Sequence, residues 1–470
     1  MKYSYPRVVL AGSGGDSGKT MLSIGLLSYF NRRNLRVFGF KKGPDFIDAA
    51  WLSQAAQTTA RNLDVHLMGK KVVSESFQKH AVKYDLSIIE GNRGIFDGMD
   101  AEGSFSTAEL AKLLKSPVLL ILDATKVTRT LAAFVLGCLQ LDPELRVAGV
   151  ILNRIAGSRH ERVIRSAIEQ STGVKVLGAI PKLTQFDFLP ERHLGLVTPE
   201  EHGRIKKVCD ELGNIIEKYV DTDAILDIAK SAPEIVSDAQ FKSNKQSVEK
   251  TVSIGYFQDS AFTFYYPENL EALKQIGAKL VPISPVNDSN LPDLDALYIG
   301  GGFPETHAGL ISKNETLLQD IKSEAQNQMP IYAECGGLIF LSNRLRYGNE
   351  IFPMADVLPF KVEMRSKPSG HGYCEFEIDK ENSFFPVGTC VKGHEFHYST
   401  IIEGLDKTNT AYKVLRGKSY SNDREGFSIN RVLASYFHVH ASATPIWAKS
   451  VVNAAKLYKK EKMSDPILIE

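Results

Sequence analysis

From Arg7 to about Val220, short apolar runs alternate with stretches of helical spacing. The runs are Val8-Val9-Leu10-Ala11, Val37-Phe38-Gly39-Phe40, Leu86-Ser87-Ile88-Ile89, Val118-Leu119-Leu120-Ile121-Leu122 and Val147-Ala148-Gly149-Val150-Ile151-Leu152. Strands this continuously apolar are buried on both faces, the condition of a parallel sheet covered by helices. The pattern predicts a doubly wound α/β domain over residues 1–220. It gives way to polar sequence, Lys230-Ser231-Ala232-Pro233 and then Phe241-Lys242-Ser243-Asn244-Lys245-Gln246-Ser247, which predicts a connection over 221–250. A second α/β pattern occupies 251–446. It opens at Val252-Ser253-Ile254-Gly255-Tyr256, contains Ala296-Leu297-Tyr298-Ile299 running into Gly300-Gly301-Gly302, and ends in Val432-Leu433-Ala434-Ser435-Tyr436-Phe437 before His438. Residues 447–470 read as a surface helix with a lysine-rich end and a tail.

A length of 470 residues agrees with more than one core, since domains run to roughly 100–200 residues. The net charge of +1 removes any global attraction for nucleic acid or anionic lipid, so small-molecule partners are expected, and it is compatible with a homodimer. Five cysteines with no C-x-x-C pair suit neither a zinc ribbon nor a disulfide framework, and predict a reducing, cytoplasmic setting. No apolar run approaches the roughly 18 residues that cross a bilayer, so no membrane is expected as partner.

Gly12-Ser13-Gly14-Gly15-Asp16-Ser17-Gly18-Lys19-Thr20 follows the first strand and opens a helix, where a phosphate cradle belongs. The common G-x-x-x-x-G-K-[ST] spacing would place its first glycine at Ser13; here it is Gly12, with five residues before Gly18. The chemistry still holds: amides wrap a phosphate, Lys19 supplies a cation and Thr20 a Mg²⁺ ligand. Lys41-Lys42-Gly43-Pro44-Asp45-Phe46-Ile47-Asp48 follows the second strand, and Glu90-Gly91-Asn92-Arg93-Gly94-Ile95-Phe96-Asp97 follows Ile88-Ile89. Loops beyond the carboxyl ends of parallel strands converge on one crevice. Glu90 or Asp45 is therefore placed to complete a metal shell, Lys42 to neutralise a transferring phosphoryl group, and Asp45, Asp48 and Asp97 to touch a substrate. The alternative is that Asp45 and Asp48 cap turns and Asp97-Gly98 is a solvated hairpin.

Ala333-Glu334-Cys335-Gly336-Gly337 lies between the apolar runs Pro330-Ile331-Tyr332 and Leu338-Ile339-Phe340-Leu341, which predicts a strand-to-helix turn presenting a thiol. The helix start is expected to lower the thiol pKa and to hold an oxyanion. His438 is the first candidate base and His440 the second. Backbone amides of Gly301, Gly302 and Gly336 are candidate oxyanion donors.

Together these residues resemble the cobyrinic acid a,c-diamide synthase family, glutamine-dependent amidotransferases of corrinoid biosynthesis, over essentially the whole chain. Gly12 to Thr20 looks like the variant loop shared with dethiobiotin synthetase, and Lys42-Gly43-Pro44-Asp45-Phe46-Ile47-Asp48 resembles a more specific signature. Gly300-Gly301-Gly302-Phe303-Pro304-Glu305, Glu334-Cys335-Gly336-Gly337, Gly393-His394-Glu395-Phe396-His397-Tyr398-Ser399 and Tyr436-Phe437-His438-Val439-His440 resemble the family's amidotransferase domain. The resemblance implies a dethiobiotin synthetase-like P-loop sheet joined to a class I glutamine amidotransferase-like α/β domain, with ATP and Mg²⁺ as cofactors and glutamine and an acidic tetrapyrrole as partners. It implies that Cys335 and His438 release ammonia from glutamine, and that ATP activates the a and c carboxylates as acyl phosphates for that ammonia. Ammonia must then pass between domains. Many class I amidotransferases carry a glutamate two residues after the catalytic histidine; His440 occupies that place here, which leaves the third member of the Cys–His site open. A relative amidating nickel-sirohydrochlorin a,c-diacetate would share these motifs. Cobyric acid synthase fits the Gly43 to Asp48 stretch less well, and a partition-type ATPase switch does not account for Cys335.

Overall fold

The computed structural model describes residues 2–183, 191–192, 195–236, 249–420 and 422–464. The chain divides into two compact units, Met1–Ser243 and Asn244–Glu470.

The first unit is built on seven parallel strands: β1 (Arg7–Gly12), β2 (Val37–Lys42), β3 (Arg61–Leu63), β4 (Leu86–Gly94), β5 (Val118–Asp123), β6 (Val147–Ile155) and β7 (Val176–Pro181). Their order is β3-β2-β4-β1-β5-β6-β7, with β1 in the middle. All five apolar runs are strands, and Arg61–Leu63 and Val176–Pro181 are added at the two edges. β3 is three residues of mixed polarity, Arg-Asn-Leu, so periodicity gives no sign of it. Central position explains why Val8 to Ala11 are buried without alternation.

Part of the stretch read as a connection belongs to this unit. Thr222–Lys230 is a helix capped by the Asp221 side chain, which accepts the Ala224 N–H, and Ile235–Val236 pairs with Lys2–Tyr3. Arg7, buried at the start of β1, donates to the carbonyls of Tyr5, Leu114 and Pro233 at 2.7 Å each and to Lys115 at 3.1 Å. A buried guanidinium is stable only when its donors are met, and here one partner lies in the supposed linker. Phe241 to Ser247 and the tail beyond Ser464 lie outside the described residues.

The second unit holds a ten-stranded mixed sheet. Its strands are β8 (Val252–Phe257), β9 (Ala278–Ile283), β10 (Ala296–Ile299), β11 (Ile331–Glu334), β12 (Gly370–Ile378), β13 (Cys390–His397), β14 (Asn409–Arg416), β15 (Arg424–Ile429), β16 (Val432–Ser435) and β17 (His438–Val439). The order is β9-β8-β10-β11-β16-β15-β14-β12-β13-β17. β9 to β16 pair in parallel, and from β15 onward the pairing is antiparallel. The apolar segment ending at His438 is therefore two strands. β16 pairs with β11 beside the cysteine, and after Tyr436-Phe437 the chain pairs again as β17 against β13.

Residues 447–470 were expected to form a surface helix. Instead, Pro445–Ser464 is one helix burying Trp447, Ala448, Val451, Val452, Ala455 and Tyr458. Burial of each large apolar side chain contributes about 1.5–3 kcal/mol, so the helix is integral to this core. Its polar face carries the lysines, which masked the apolar stripe in composition.

Two candidate active sites

In the first unit, β1 ends at Gly12 and the helix Lys19–Arg32 begins after Gly18, whose φ of 97° favours glycine. A Cβ on Gly12 would lie 2.2 Å from Ser17 Oγ and 2.9 Å from Lys19 Nζ, so the early glycine is required by the loop folding onto its own start. Lys19 Nζ donates to Gly14 O at 2.7 Å, inside the loop. Burial pushes this ammonium below its usual pKa, and the nearby Lys41 adds to the effect. Asn153 at the end of β6 donates to Ser17 O at 3.0 Å and ties the loop to the sheet. Gly14, Gly15 and Asp16 form the turn between them, Asp16 with a φ of 51°.

Thr20 Oγ1 donates to Glu90 Oε1 at 2.7 Å. Lys41 Nζ donates to the same oxygen at 2.8 Å and to Asp48 Oδ2 at 2.5 Å. Burial alone would lower the Lys41 pKa, but Asp48, Glu90 and Asp45 outweigh it and hold the ammonium charged. Burial pushes the Glu90 carboxyl up to about 7, with Lys41 opposing, and the Asp45 carboxyl up to about 6, with Asp48 adding to it. Three carboxyl groups thus share a poorly hydrated corner. Glu90 Oε2 is buried with no hydrogen-bond partner among the described residues. An orphaned carboxylate oxygen beside a threonine hydroxyl fits a hard cation. No group of three His, Cys, Asp or Glu side chains suited to a metal occurs among the described residues. A cation held by Thr20 and Glu90 would complete its shell from water and phosphate oxygens, as Mg²⁺ does.

Asp45 is the N-cap of Phe46–Ala56 and accepts the Asp48 N–H at 2.9 Å, which favours its capping role over the metal shell. Asp48 is paired to Lys41, and Asp97 is exposed and accepts the Gly94 N–H at 2.8 Å. Burial pushes the Lys42 pKa down, against the pull of Asp64. Lys41 and Asn153 had no assigned role in the sequence reading. Lys41 adjoins Lys42 in a quoted motif, and only the pleat decides which of the two turns inward.

In the second unit, Cys335 joins β11 to the helix Gly336–Leu341 with φ 49° and ψ −98°, a costly backbone for a residue bearing a Cβ. Its N–H donates to Ser435 O at 2.7 Å, and Sγ lies 4.0 Å from Phe396 O. The expected lowering of the thiol pKa is not the net effect. Burial pushes it well up and Glu305 adds to this, while the Gly336 N–H only partly opposes them. The helix has six residues, too short a dipole to overcome full desolvation. The thiol is protonated at neutral pH and needs a base. Alkylation of Cys335 by iodoacetamide without glutamine is therefore expected to quicken about tenfold per pH unit between pH 7 and 9. A plateau below pH 8 would show that the helix start prevails.

His438 Nδ1 lies 3.5 Å from Glu334 Oε2. Its ring stacks on His394 at 4.9 Å between centroids. A Cβ on Gly301 would meet His438 Cε1 at 2.6 Å, and one on Gly336 would meet Gly302 N at 3.0 Å, so the three-glycine loop closes over histidine and cysteine turn alike. The Gly301 N–H donates to Phe264 O at 3.3 Å and is already engaged, which makes it the weakest of the three candidate oxyanion donors. His440 is directed elsewhere: Nε2 is 3.8 Å from Glu268 Oε2, Nδ1 accepts the Ser442 N–H at 3.1 Å, and the ring lies against Tyr266. Burial, then His438 and His440, hold His394 well below the usual histidine range. Glu334 and His394 had no role in the sequence reading, though both sit in quoted motifs. Cys138, Cys209 and Cys374 are buried in the core, and none of the five cysteines is paired.

Residues 8–197 match the CobQ/CobB/MinD/ParA nucleotide binding domain, and residues 253–446 the CobB/CobQ-like glutamine amidotransferase domain. The cobyrinate a,c-diamide synthase of Magnetococcus marinus is 39% identical over 457 residues, spanning 95% of this chain and 97% of that protein. Its namesake in Archaeoglobus fulgidus is 39% identical over 453 residues, 96% of this chain and 97% of the relative. That of Leptospira interrogans is 40% identical over 459 residues, 97% and 99% respectively.

Proposed function

The chain belongs to the cobyrinate a,c-diamide synthase family, and on that premise we propose that it amidates the a and c carboxylates of cobyrinic acid with ammonia from glutamine, driven by ATP. The observation that carries this reading is the presence, on one chain, of a strained cysteine turn and a histidine packed against the same three-glycine loop, and of a phosphate loop facing a buried carboxylate corner.

At the second site the Cys335 proton passes to His438 and Sγ bonds to the amide carbon of glutamine. Gly302 and Gly336 amides hold the oxyanion. Collapse breaks the carbon–nitrogen bond, ammonia leaves with the proton from His438, and water hydrolyses the γ-glutamyl thioester to glutamate and free thiol. At the first site a substrate carboxylate oxygen attacks the γ-phosphorus of ATP and ADP departs. Ammonia then attacks the acyl carbon and phosphate leaves. Amides of Gly12 to Gly18 wrap the nucleotide phosphates, Lys19 neutralises the moving phosphoryl group, and Lys42 supplies a second cation for the reaction. Thr20 and Glu90 would hold Mg²⁺, which when bound supplies charge neutralisation at the phosphates.

The deciding experiment incubates the purified protein with glutamine, ATP, Mg²⁺ and, separately, cobyrinic acid or nickel-sirohydrochlorin a,c-diacetate. Two successive mass losses of OH-to-NH₂ exchange are expected with cobyrinic acid. Amidation of the nickel compound alone would reassign the substrate, and none with either would remove the reading. If Asp97 reads the substrate, Asp97→Asn halts the reaction at a monoamide; an unchanged diamide yield would clear Asp97 of that role. It is the cleaner choice over Asp48→Asn, which also breaks the pair with Lys41.

A further inference from the structure

We infer that Glu334, the residue directly before the nucleophile, is the positioning residue for His438, taking the part that a glutamate two places after the histidine has in other class I amidotransferases. The inference rests on His438 being the base, as proposed above.

Glu334 ends β11, between β10 and β16, and is 2% exposed. A carboxylate at that depth costs several kcal/mol unless it is paired and hydrogen-bonded. Val439, Tyr298 and His438 approach its two oxygens, with Tyr332 beside the carboxylate. Oε1 accepts the Val439 N–H at 3.1 Å, Oε2 accepts the Tyr298 hydroxyl at 3.1 Å, and Oε2 also faces His438 Nδ1 at 3.5 Å. The contacts extend into a closed network. Asn269 Nδ2 donates to Tyr298 at 3.2 Å and to Val439 O at 2.7 Å, while its Oδ1 accepts the Ala441 N–H at 2.7 Å. The two-residue strand carrying the histidine is therefore gripped at both faces of Val439. His440 belongs to the separate group around Glu268 and Tyr266.

This placement fixes the tautomer. A carboxylate facing Nδ1 keeps the proton there, so Nε2 is the nitrogen left to take the thiol proton and return it to departing ammonia. Glu334 stabilises the imidazolium between those steps. The separation of 3.5 Å is an ion-pair distance, and such contacts tighten when the imidazolium forms. Adjacency to Cys335 has a mechanical consequence: one strand end positions nucleophile and orienting carboxylate together.

The test measures glutamine hydrolysis by the full chain with ATP, Mg²⁺ and tetrapyrrole present. Glu334→Gln keeps an acceptor for Val439 but removes the charge. Its kcat is expected to fall about 100-fold or more with KM for glutamine within about twofold. The acid limb of its pH profile should move about one unit lower, because the imidazolium has lost its counter-charge. Tyr298→Phe deletes a contact to the same oxygen but leaves the charge, so its pH profile should match that of the unaltered protein. Glu334→Asp retains charge at a greater distance and is expected to recover part of the rate with an unshifted acid limb. Should the glutamine variant not fold, full kcat in Glu334→Asp overturns the inference. Normal kcat and an unmoved acid limb in Glu334→Gln overturn it as well, and so does an acid limb shifted equally by Tyr298→Phe. His438→Asn separates the two readings: if it retains glutamine hydrolysis, the assignment of the base has failed, whereas its inactivity beside a normal Glu334→Gln fails the positioning role alone.

Discussion

Cys335→Ala is expected to abolish amide synthesis from glutamine while leaving ATP-dependent synthesis from ammonium salts. In the proposed mechanism the substitution removes the atom that forms the thioester, so no slower route through the same site remains. The backbone at this position has a φ of 49°, which alanine tolerates no worse than cysteine, so the turn and the helix after it should persist. Parallel assays with glutamine and with ammonium chloride at raised pH, read by mass spectrometry of the tetrapyrrole, make the comparison. Loss of both activities would argue that the thiol is not confined to ammonia release. Retention of both would remove Cys335 from the reaction and revive a binding role for the second unit.

Lys19→Ala has the complementary signature: synthesis from glutamine and from ammonia should fall together. Charge stabilisation of a transferring phosphoryl group is worth roughly 3–4 kcal/mol, or about 10²–10³ in rate. The ammonium is held by Gly14 O and, among the described residues, has no carboxylate partner at hydrogen-bond distance, so its removal strands no paired anion there. Thermal unfolding of the variant should therefore resemble that of the unaltered chain. Lys41→Met provides the contrast. It leaves Glu90 and Asp48 without their shared cation and should cost on the order of 3–5 kcal/mol of stability. Full diamide formation by Lys19→Ala would refute the phosphate-site assignment.

The two lysines also show how far the chain could be read before it was folded. Lys19 stands out as a candidate because of its neighbours: glycines on one side, a threonine on the other, a strand before and a helix after. Lys41 does not, since a lysine at a strand end turns inward or outward by pleat alone, and adjacent Lys42 carries the same charge. Asp45 shows a third case. The capping alternative and the metal alternative ask for the same residue at the same place, and only the bond to the Asp48 N–H separates them.

The second unit divides along a similar line. Cys335, His438 and the three-glycine loop announce themselves by local context, but the apolar segment leading to His438 hides a break at Tyr436-Phe437 that carries the histidine from β16 to β17. The sign of the cysteine's pKa shift was likewise out of reach. A turn before a helix argues for a lowered value, and burial, with the charge of Glu305 adding to it, reverses it.

The sequence by itself determined the class of sheet and singled out the candidate site residues, because strand patterning, turn glycines and motif spacing are properties of neighbours along the chain. Tertiary structure decided the pairings: Lys41 with Glu90 and Asp48, Asn153 with the phosphate loop, the terminal helix with its core, and Glu334 beside His438. Each depends on side-chain direction and on distance between remote segments, quantities that exist only once the strands have taken their order and register.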